Sequence, residues 1–218
     1  MDIKVDENTV VVFDLDDTLY NELDFLKSAY QHIAKQLEPK AYNELLVLMI
    51  ALYRSKENVF DIVASRYKIS KAVLIDMYRQ HEPKIDLFKG AMEIMTGIKN
   101  KKGKIGMVTD GRTQTQLAKI NALKITHLMD EIVISEAIGT EKPNPENFRT
   151  IEKSLSGNTY YYIADNLRKD FLAPNAMGWK TIGLIDNGLN IHFDAHLYLD
   201  QKHKPQEFIT SFMELNIV

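Results

Sequence analysis

The 218-residue chain contains no cysteine, which excludes a disulfide framework, a thiolate zinc site and a cysteine nucleophile. Long apolar runs are missing too. The longest, LLVLMIALY at residues 45–53, is too short to span a bilayer and reads as a buried helix. The opening MDIKVDENTV lacks the basic-then-apolar order of a secretory signal, so a reducing, cytoplasmic setting is expected. A net charge of −3 argues against a phosphate-backbone binder. Neither a nucleic acid polymer nor a membrane is therefore expected as a partner. Glycine is absent from residues 1–89, and all ten follow from Gly90 onward. A stretch without glycine has little access to positive-φ turns and favours helices joined by simple connections. At 45% hydrophobic and 26% charged residues, the chain still holds enough apolar material for a real core.

What is present falls into two textures. Val10–Phe13 (VVVF) is continuously apolar and β-branched, the pattern of a strand buried on both faces of a parallel sheet. From about residue 21 the spacing turns helical: Leu23, Leu26, Tyr30, Ile33 and Leu37, then Leu45, Leu48, Met49 and Leu52. Two shorter helices are expected at 59–67 and 70–79, with Pro83 closing the set. After Gly90 strands and helices alternate. Strands are predicted at 104–108, 131–134, 160–164, 181–185 and 196–199, and helices at 91–99, 114–123, 170–177 and 205–215. Asn144-Pro145 reads as an N-cap followed by proline at the first helical position, opening a helix through residue 155. Such alternation implies an α/β fold, a doubly wound (Rossmann-like) parallel sheet, here with an inserted all-helical domain. The expected boundaries are 1–19 and 85–218 for the α/β core and 20–84 for the insertion.

Ligands of open α/β sheets gather beyond the carboxyl ends of the strands. The first predicted strand ends in Asp14, followed by Asp16, Asp17 and Thr18; the strand at 104–108 ends in Thr109-Asp110-Gly111. Glu141-Lys142-Pro143 follows the strand at 131–134, and the strand at 160–164 ends in Asp165, with Asp170 five residues on. Taken singly, each has a plain explanation: a polar turn, a helix cap, a solvated loop lysine. Together they put carboxylates, a hydroxyl and a lysine on one sheet edge. Clustered carboxylates raise one another's pKa unless a cation sits among them, and oxygen ligands without His or Cys favour Mg²⁺ over zinc. A hydroxyl, loop amides and a lysine suit an anionic phosphate.

The segments FDLDDTLY, VTDG, EKPNPENF and YYIADNLRKD, in this order and spacing, resemble motifs one to four of the haloacid dehalogenase (HAD) superfamily. The helical insertion after the first motif resembles the C1 cap of its phosphatase-like subfamily. The resemblance implies that Asp14 is the nucleophile and forms an aspartyl-phosphate. It makes Asp16 the general acid and then base. Mg²⁺ would be held by Asp14, the Asp16 carbonyl and Asp165, with Asp170 positioning bound water or Lys142. Thr109, Asp110, Gly111 and Lys142 would bind the phosphoryl group, Lys142 neutralising charge in the transition state. Three positions depart from the commonest pattern: Asp110 stands where Asn is usual, Ala164 where Gly often precedes the motif-four Asp, and Asp17 where many members have Gly.

Asp16 separates the branches, because a halide leaving group needs no proton and the superfamily's dehalogenases lack this carboxylate. A phosphatase acting on a small phosphomonoester (a nucleoside monophosphate, flavin mononucleotide or a sugar phosphate) is the expected activity. A phosphomutase and a non-catalytic phospho-ligand binder remain as alternatives. A response-regulator receiver fails because no acceptor aspartate follows the strand at 131–134. Tyr20, Asn21, Asp24, Arg54 and Arg79 are the candidates for substrate choice, although arginines on helix faces are more often simply solvated. His192 and His196 flank Asp194 but fall in a turn region and read as surface residues. A monomer or a homodimer is compatible with this reading.

Overall fold

Thr9–Phe13, β-branched and aromatic with every side chain buried, forms the central strand of a six-stranded sheet. The computed structural model describes residues 1–218. Its elements are β1 (Asp2–Ile3), β2 (Thr9–Phe13), α1 (Glu22–Leu37), α2 (Tyr42–Arg54), α3 (Val59–Tyr67), α4 (Lys71–Gln80) and α5 (Ala91–Asn100). Then come β3 (Lys104–Thr109), α6 (Thr113–Ala122), β4 (Glu131–Ile134), α7 (Ser135–Ile138), α8 (Pro145–Ser154), β5 (Thr159–Ala164) and α9 (Leu172–Ala176). Last are β6 (Lys180–Leu184), β7 (Glu207–Ile209) and β8 (Asn216–Ile217).

The large sheet runs β4-β3-β2-β5-β6-β7, parallel throughout. β1 and β8 pair separately. Phe13 lies opposite Met107 of β3 on one side and Ile163 of β5 on the other. The chain leaves β2 to build β3 and β4, then crosses back to start β5. The carboxyl ends of β2 and β5 therefore flank the topological switch point, where a crevice opens in such sheets.

One sheet face is closed by α8 and α9. Val10, Val12, Val108, Tyr162, Phe148, Ile151 and Trp179 form a continuous buried cluster there. Phe148 meets Tyr162 and Trp179 edge-on at 5.0 and 5.5 Å between ring centres, the geometry aromatic quadrupoles prefer. Helix α8 starts as its sequence requires, with the Asn144 side chain accepting from Glu146 N at 3.0 Å and Pro145 in the first turn. Gly106 lets α8 approach: a Cβ there would sit 3.0 Å from Ile151 Cδ1 and 3.3 Å from Val12 Cγ2.

The chain divides into two compact units, Met1–Glu22 with Asp86–Val218, and Leu23–Ile85. The second is all-helical. Leu23, Leu26, Tyr30, Ile33, Leu45, Met49, Val59, Val63 and Leu74 form its core, and Leu48 and Leu52 pack against that cluster half-buried. Asn58 and Ser70 cap α3 and α4 through their side chains.

The C-terminal elements differ from the expected ones. No strand forms at 196–199; Ala195–Leu197 is a short 3₁₀ turn whose Leu197 is exposed. Alternation of apolar residues there has no strand edge to pair with. Residues 205–215 are not a helix. Glu207–Ile209 instead pairs with β6, Ile182 opposite Glu207, and completes the sheet at its edge. Tertiary pairing overrides the local helical periodicity. The helix expected from residue 170 is shortened to Leu172–Ala176 because Asp170 turns back, its N–H donating to Asn166 O at 3.0 Å.

Candidate active site

Asp14 follows β2 directly, and its N–H donates to Ile163 O of β5 at 2.9 Å, which locks it at the switch point. Its Oδ1 lies 2.7 Å from Lys142 Nζ, and the same ammonium is 2.8 Å from Asp170 Oδ1 and 3.3 Å from the Tyr162 hydroxyl. All four are buried. Burial raises the Asp14 carboxyl, Lys142 draws it down and Asp170 pushes it up again, leaving it at about 7. The neighbouring carboxylates outweigh burial at Lys142, whose ammonium is held well above the usual lysine range.

Asp165 follows β5. Thr18 donates to its Oδ1 at 3.1 Å and Asn190 to its Oδ2 at 2.8 Å. Burial first, then repulsion from Asp170 and Asp14, raises its carboxyl well above the usual range. Carboxylate oxygens of Asp14, Asp165 and Asp170 lie within 4.8 Å of one another. This all-oxygen, mutually repelling set fits a hard divalent cation of the Mg²⁺ type; neither His192 nor His196 belongs to it. Asp17 adopts φ +54°, the left-handed region open to Gly and tolerated by Asp. Its carboxylate accepts from Glu22 N at 2.7 Å and Ile191 N at 2.8 Å, so it holds the loop after β2 and the start of α1.

Asp16 lies among three donors from its own loop and α6. Lys119 Nζ donates to Oδ1 at 2.7 Å, the Tyr20 hydroxyl donates to the same oxygen, and Gln116 Nε2 donates to Oδ2 at 2.9 Å. Burial works to raise the Asp16 carboxyl, but Lys119 and these hydrogen bonds outweigh it and hold the group below the ordinary carboxylate range. Gln116 Nε2 also donates to Thr109 Oγ1 at 2.6 Å, joining the ends of β2 and β3. Glu22 lines the same cavity, its carboxyl pushed up to about 8 by burial and then by Asp16.

Asp110 is compensated. Its Oδ2 accepts from Lys169 Nζ at 2.6 Å and its Oδ1 from Lys142 N at 3.0 Å. The acidic residue at this place therefore anchors the Lys142 loop and pairs with a lysine. Gly111 has φ +134°, and its N–H donates to Ser135 Oγ at 2.9 Å.

These groups surround a cavity of about 170 Å³. Its lining carries six carboxyl groups (Asp14, Asp16, Asp17, Glu22, Asp110, Asp165) against two lysines, Lys142 and Lys169. When ionised, this carboxylate set opposes an anionic ligand. A family model described as haloacid dehalogenase-like hydrolase matches residues 11–184, which include every strand-end group named above. The chain belongs to this family. It is similar to glyceraldehyde 3-phosphate phosphatase of Methanopyrus kandleri, 28% identical over 79% of this chain and 82% of that protein. It is also similar to pyrophosphatase PpaX of Bacillus pumilus, 24% identical over 97% of each chain. Among solved structures, YfnB of Bacillus subtilis, determined bound to magnesium, superposes with a TM-score of 0.66 at 16% identity, covering 94% of this chain and 96% of that one.

Within the HAD-like unit the structure brings together Asp14, Asp16, Thr109, Lys142, Asp165 and Asp170. The residues expected to choose substrate belong to both units, Tyr20 and Asn21 to the first and Asp24, Arg54 and Arg79 to the second. Tyr20 is fully buried with its hydroxyl on Asp16, and Asn21 accepts from Asn187 Nδ2 at 2.8 Å. Asp24 pairs with Lys27 at 3.1 Å in the helical unit, and Arg54 and Arg79 stand in the last turns of α2 and α4. Four polar residues near the site escape the strand-end reading: Gln116, Lys119, Lys169 and Glu22. For Gln116 and Lys119 a signal exists. They sit three apart on α6, beside Thr115 and Ile120 on its buried face, so its inward stripe is partly polar.

Proposed function

We propose that the protein is a Mg²⁺-dependent phosphatase that hydrolyses a small phosphomonoester through an aspartyl-phosphate on Asp14. The observation carrying this is the Asp14–Lys142–Asp170 arrangement, set at 2.7 and 2.8 Å at the switch point beside Thr109 and Asp16. The phosphatase names of the relatives support the same reaction class.

Asp14 Oδ attacks phosphorus as the bond to the leaving alcohol oxygen breaks, and Asp16 gives that oxygen its proton. Water then attacks the aspartyl-phosphate, its proton passes to Asp16, and the Asp14–phosphorus bond opens to release phosphate. Lys142 faces the charge that spreads over nucleophile and phosphoryl oxygens, and the Thr109 hydroxyl holds one of those oxygens. Asp14, Asp165 and the main-chain carbonyl of Asp16 would hold Mg²⁺, with Asp170 supporting Lys142. When bound, the cation supplies charge neutralisation at the phosphoryl oxygens and among the carboxylates. Residues 20–84 are assigned the role of a C1-type cap, with Asp24, Arg54 and Arg79 as its candidates for substrate choice.

A phosphomonoester panel containing glyceraldehyde 3-phosphate, nucleoside monophosphates, flavin mononucleotide and hexose phosphates, with pyrophosphate beside them, tests the reading. Phosphate release is expected with Mg²⁺ and not with EDTA. Asp14→Asn is expected to lower turnover by roughly 10⁴-fold or more, as loss of a covalent nucleophile does. Turnover surviving in Asp14→Asn would sink the assignment.

A further inference from the structure

We infer that Gln116, Lys119 and Tyr20 form a polar bracket that positions the acid–base Asp16 and, through Gln116, orients the Thr109 hydroxyl toward the phosphoryl group. The inference rests on the phosphatase reading above and adds to it three positioning residues that touch the reacting atoms only through others.

The geometry is specific. A carboxylate on a loop has two χ angles to fix, and a general acid loses effectiveness when its oxygen drifts by an ångström. Asp16 Oδ1 is held from two directions, by Lys119 Nζ at 2.7 Å and by the Tyr20 hydroxyl. Lys119 is itself fixed: its side chain is 4% exposed, and its ammonium stands 6.0 Å from the centre of the Tyr20 ring. A buried lysine is costly to desolvate and persists only where it is paired. Tyr20 is fully buried and lies in the loop that Asp17 secures to Glu22 N and Ile191 N. The bracket is therefore anchored both in α6 and in the loop after β2.

Gln116 extends it to the neighbouring strand. One side-chain nitrogen donates both to Asp16 Oδ2 at 2.9 Å and to Thr109 Oγ1 at 2.6 Å. A hydroxyl that accepts from Gln116 keeps its own O–H to donate elsewhere, so the amide sets the direction in which Thr109 can give a hydrogen bond. Phosphate holding by Thr109 and proton transfer by Asp16 are thus tied to one side chain. Both Asp16 oxygens thus carry donors, an arrangement that favours its ionised form, the one that takes the proton from attacking water.

Leaving-group dependence separates positioning from general damage. kcat/KM reports the steps up to loss of the alcohol, and only a poor leaving group needs Asp16's proton. The probes are glycerol 3-phosphate, an alkyl ester, and 2,4-dinitrophenyl phosphate, an activated ester. Their kcat/KM ratio is compared in wild type, Asp16→Asn, Lys119→Met, Gln116→Leu and Tyr20→Phe, all with Mg²⁺. Asp16→Asn is expected to depress the alkyl ester selectively by roughly 10²-fold or more, the worth of a general acid. Lys119→Met and Gln116→Leu are expected to shift the ratio the same way by about tenfold, part of that same contribution. Tyr20→Phe, which removes only a hydroxyl, is expected to shift it less and keeps the test alive if Lys119→Met does not fold. If Asp16→Asn moves the ratio and none of the bracket variants does, the bracket is overturned. If Asp16→Asn leaves the ratio unchanged, the acid role of Asp16 fails instead.

Discussion

The two units of this molecule handle charge in opposite ways. In the helical unit the core is hydrocarbon and aromatic, and its ion pairs lie outside: Lys27 and Asp24 keep 44% and 43% of their side-chain surface exposed. In the α/β unit the strand ends bury charge, with Lys142 and Asp14 at 1% and 8%. Exposed pairs of the first kind contribute at most about 1 kcal/mol. Buried ions of the second kind cost several kcal/mol each to desolvate and break even only when fully paired. A fold would gain more from apolar residues there. The strand ends of β2, β3 and β5 are therefore where buried charge costs stability, whereas the ion pairs Lys27–Asp24 and Lys71–Asp61 of the helical unit stay exposed.

The sharpest way to break this contrast is Lys142→Met. The substitution keeps length and hydrophobic contact but leaves Asp14 and Asp170 buried without their ammonium. Removing one partner of a buried pair is expected to cost about 3–5 kcal/mol of stability. Loss of an electrostatic stabiliser is expected to lower kcat by roughly 10²- to 10³-fold. Denaturant unfolding and steady-state kinetics check the two effects separately. A variant that loses neither would mean that the buried charges are not interdependent.

The counterpart in the helical unit is Met49→Ala. Met49 is fully buried within an apolar cluster, so its truncation leaves a cavity and no unpaired group. A loss of about 2–5 kcal/mol is expected from transfer and cavity terms. Chemistry of the Asp14 site on a small activated ester is expected to persist below the unfolding transition. If Met49→Ala instead abolished turnover while leaving the unfolding midpoint unchanged, the division of labour between the units would be wrong.

Much of the α/β unit was legible because strand and strand end are contiguous in sequence. VVVF followed by Asp14, and IA followed by Asp165, carry both the element and the carboxylate at its end within a few positions. Asn144-Pro145 was legible for the same reason, as helix N-caps are local. What escaped depends on distance. Asp110 is paired by Lys169, 59 residues away, and Asp16 by Lys119, 103 residues away. No local pattern marks such partners, although two polar residues three apart on an inward helix face are a usable sign. The residues after β6 were misread because their apolar spacing suits either element, and the free edge of β6 decided for a strand at Glu207–Ile209.

The finest test of the contrast is how pH and Mg²⁺ act together on stability. Burial and repulsion raise the carboxyls of Asp14 to about 7 and Glu22 to about 8, with Asp165 also well above its usual range. In the unfolded chain such groups titrate near 4. A raised folded pKa means that the native state binds the proton more tightly, so its stabilisation is complete below the unfolded value. It is lost as pH climbs through the folded value. Metal-free protein should therefore become steadily less stable from about pH 4 to about pH 8 through these groups. Mg²⁺ binds the ionised carboxylates and competes with their protons, so its stabilisation must grow over the same interval. Millimolar MgCl₂ is expected to leave the melting temperature almost unchanged near pH 5. Near pH 8 it should raise it by several degrees, at roughly 2–4 °C per kcal/mol for a chain of this size. In Asp165→Asn the increment near pH 8 should shrink. An increment of equal size at both pH values would show that the cation binds somewhere other than this carboxylate cluster, because exposed acidic groups of ordinary pKa are already ionised at pH 5.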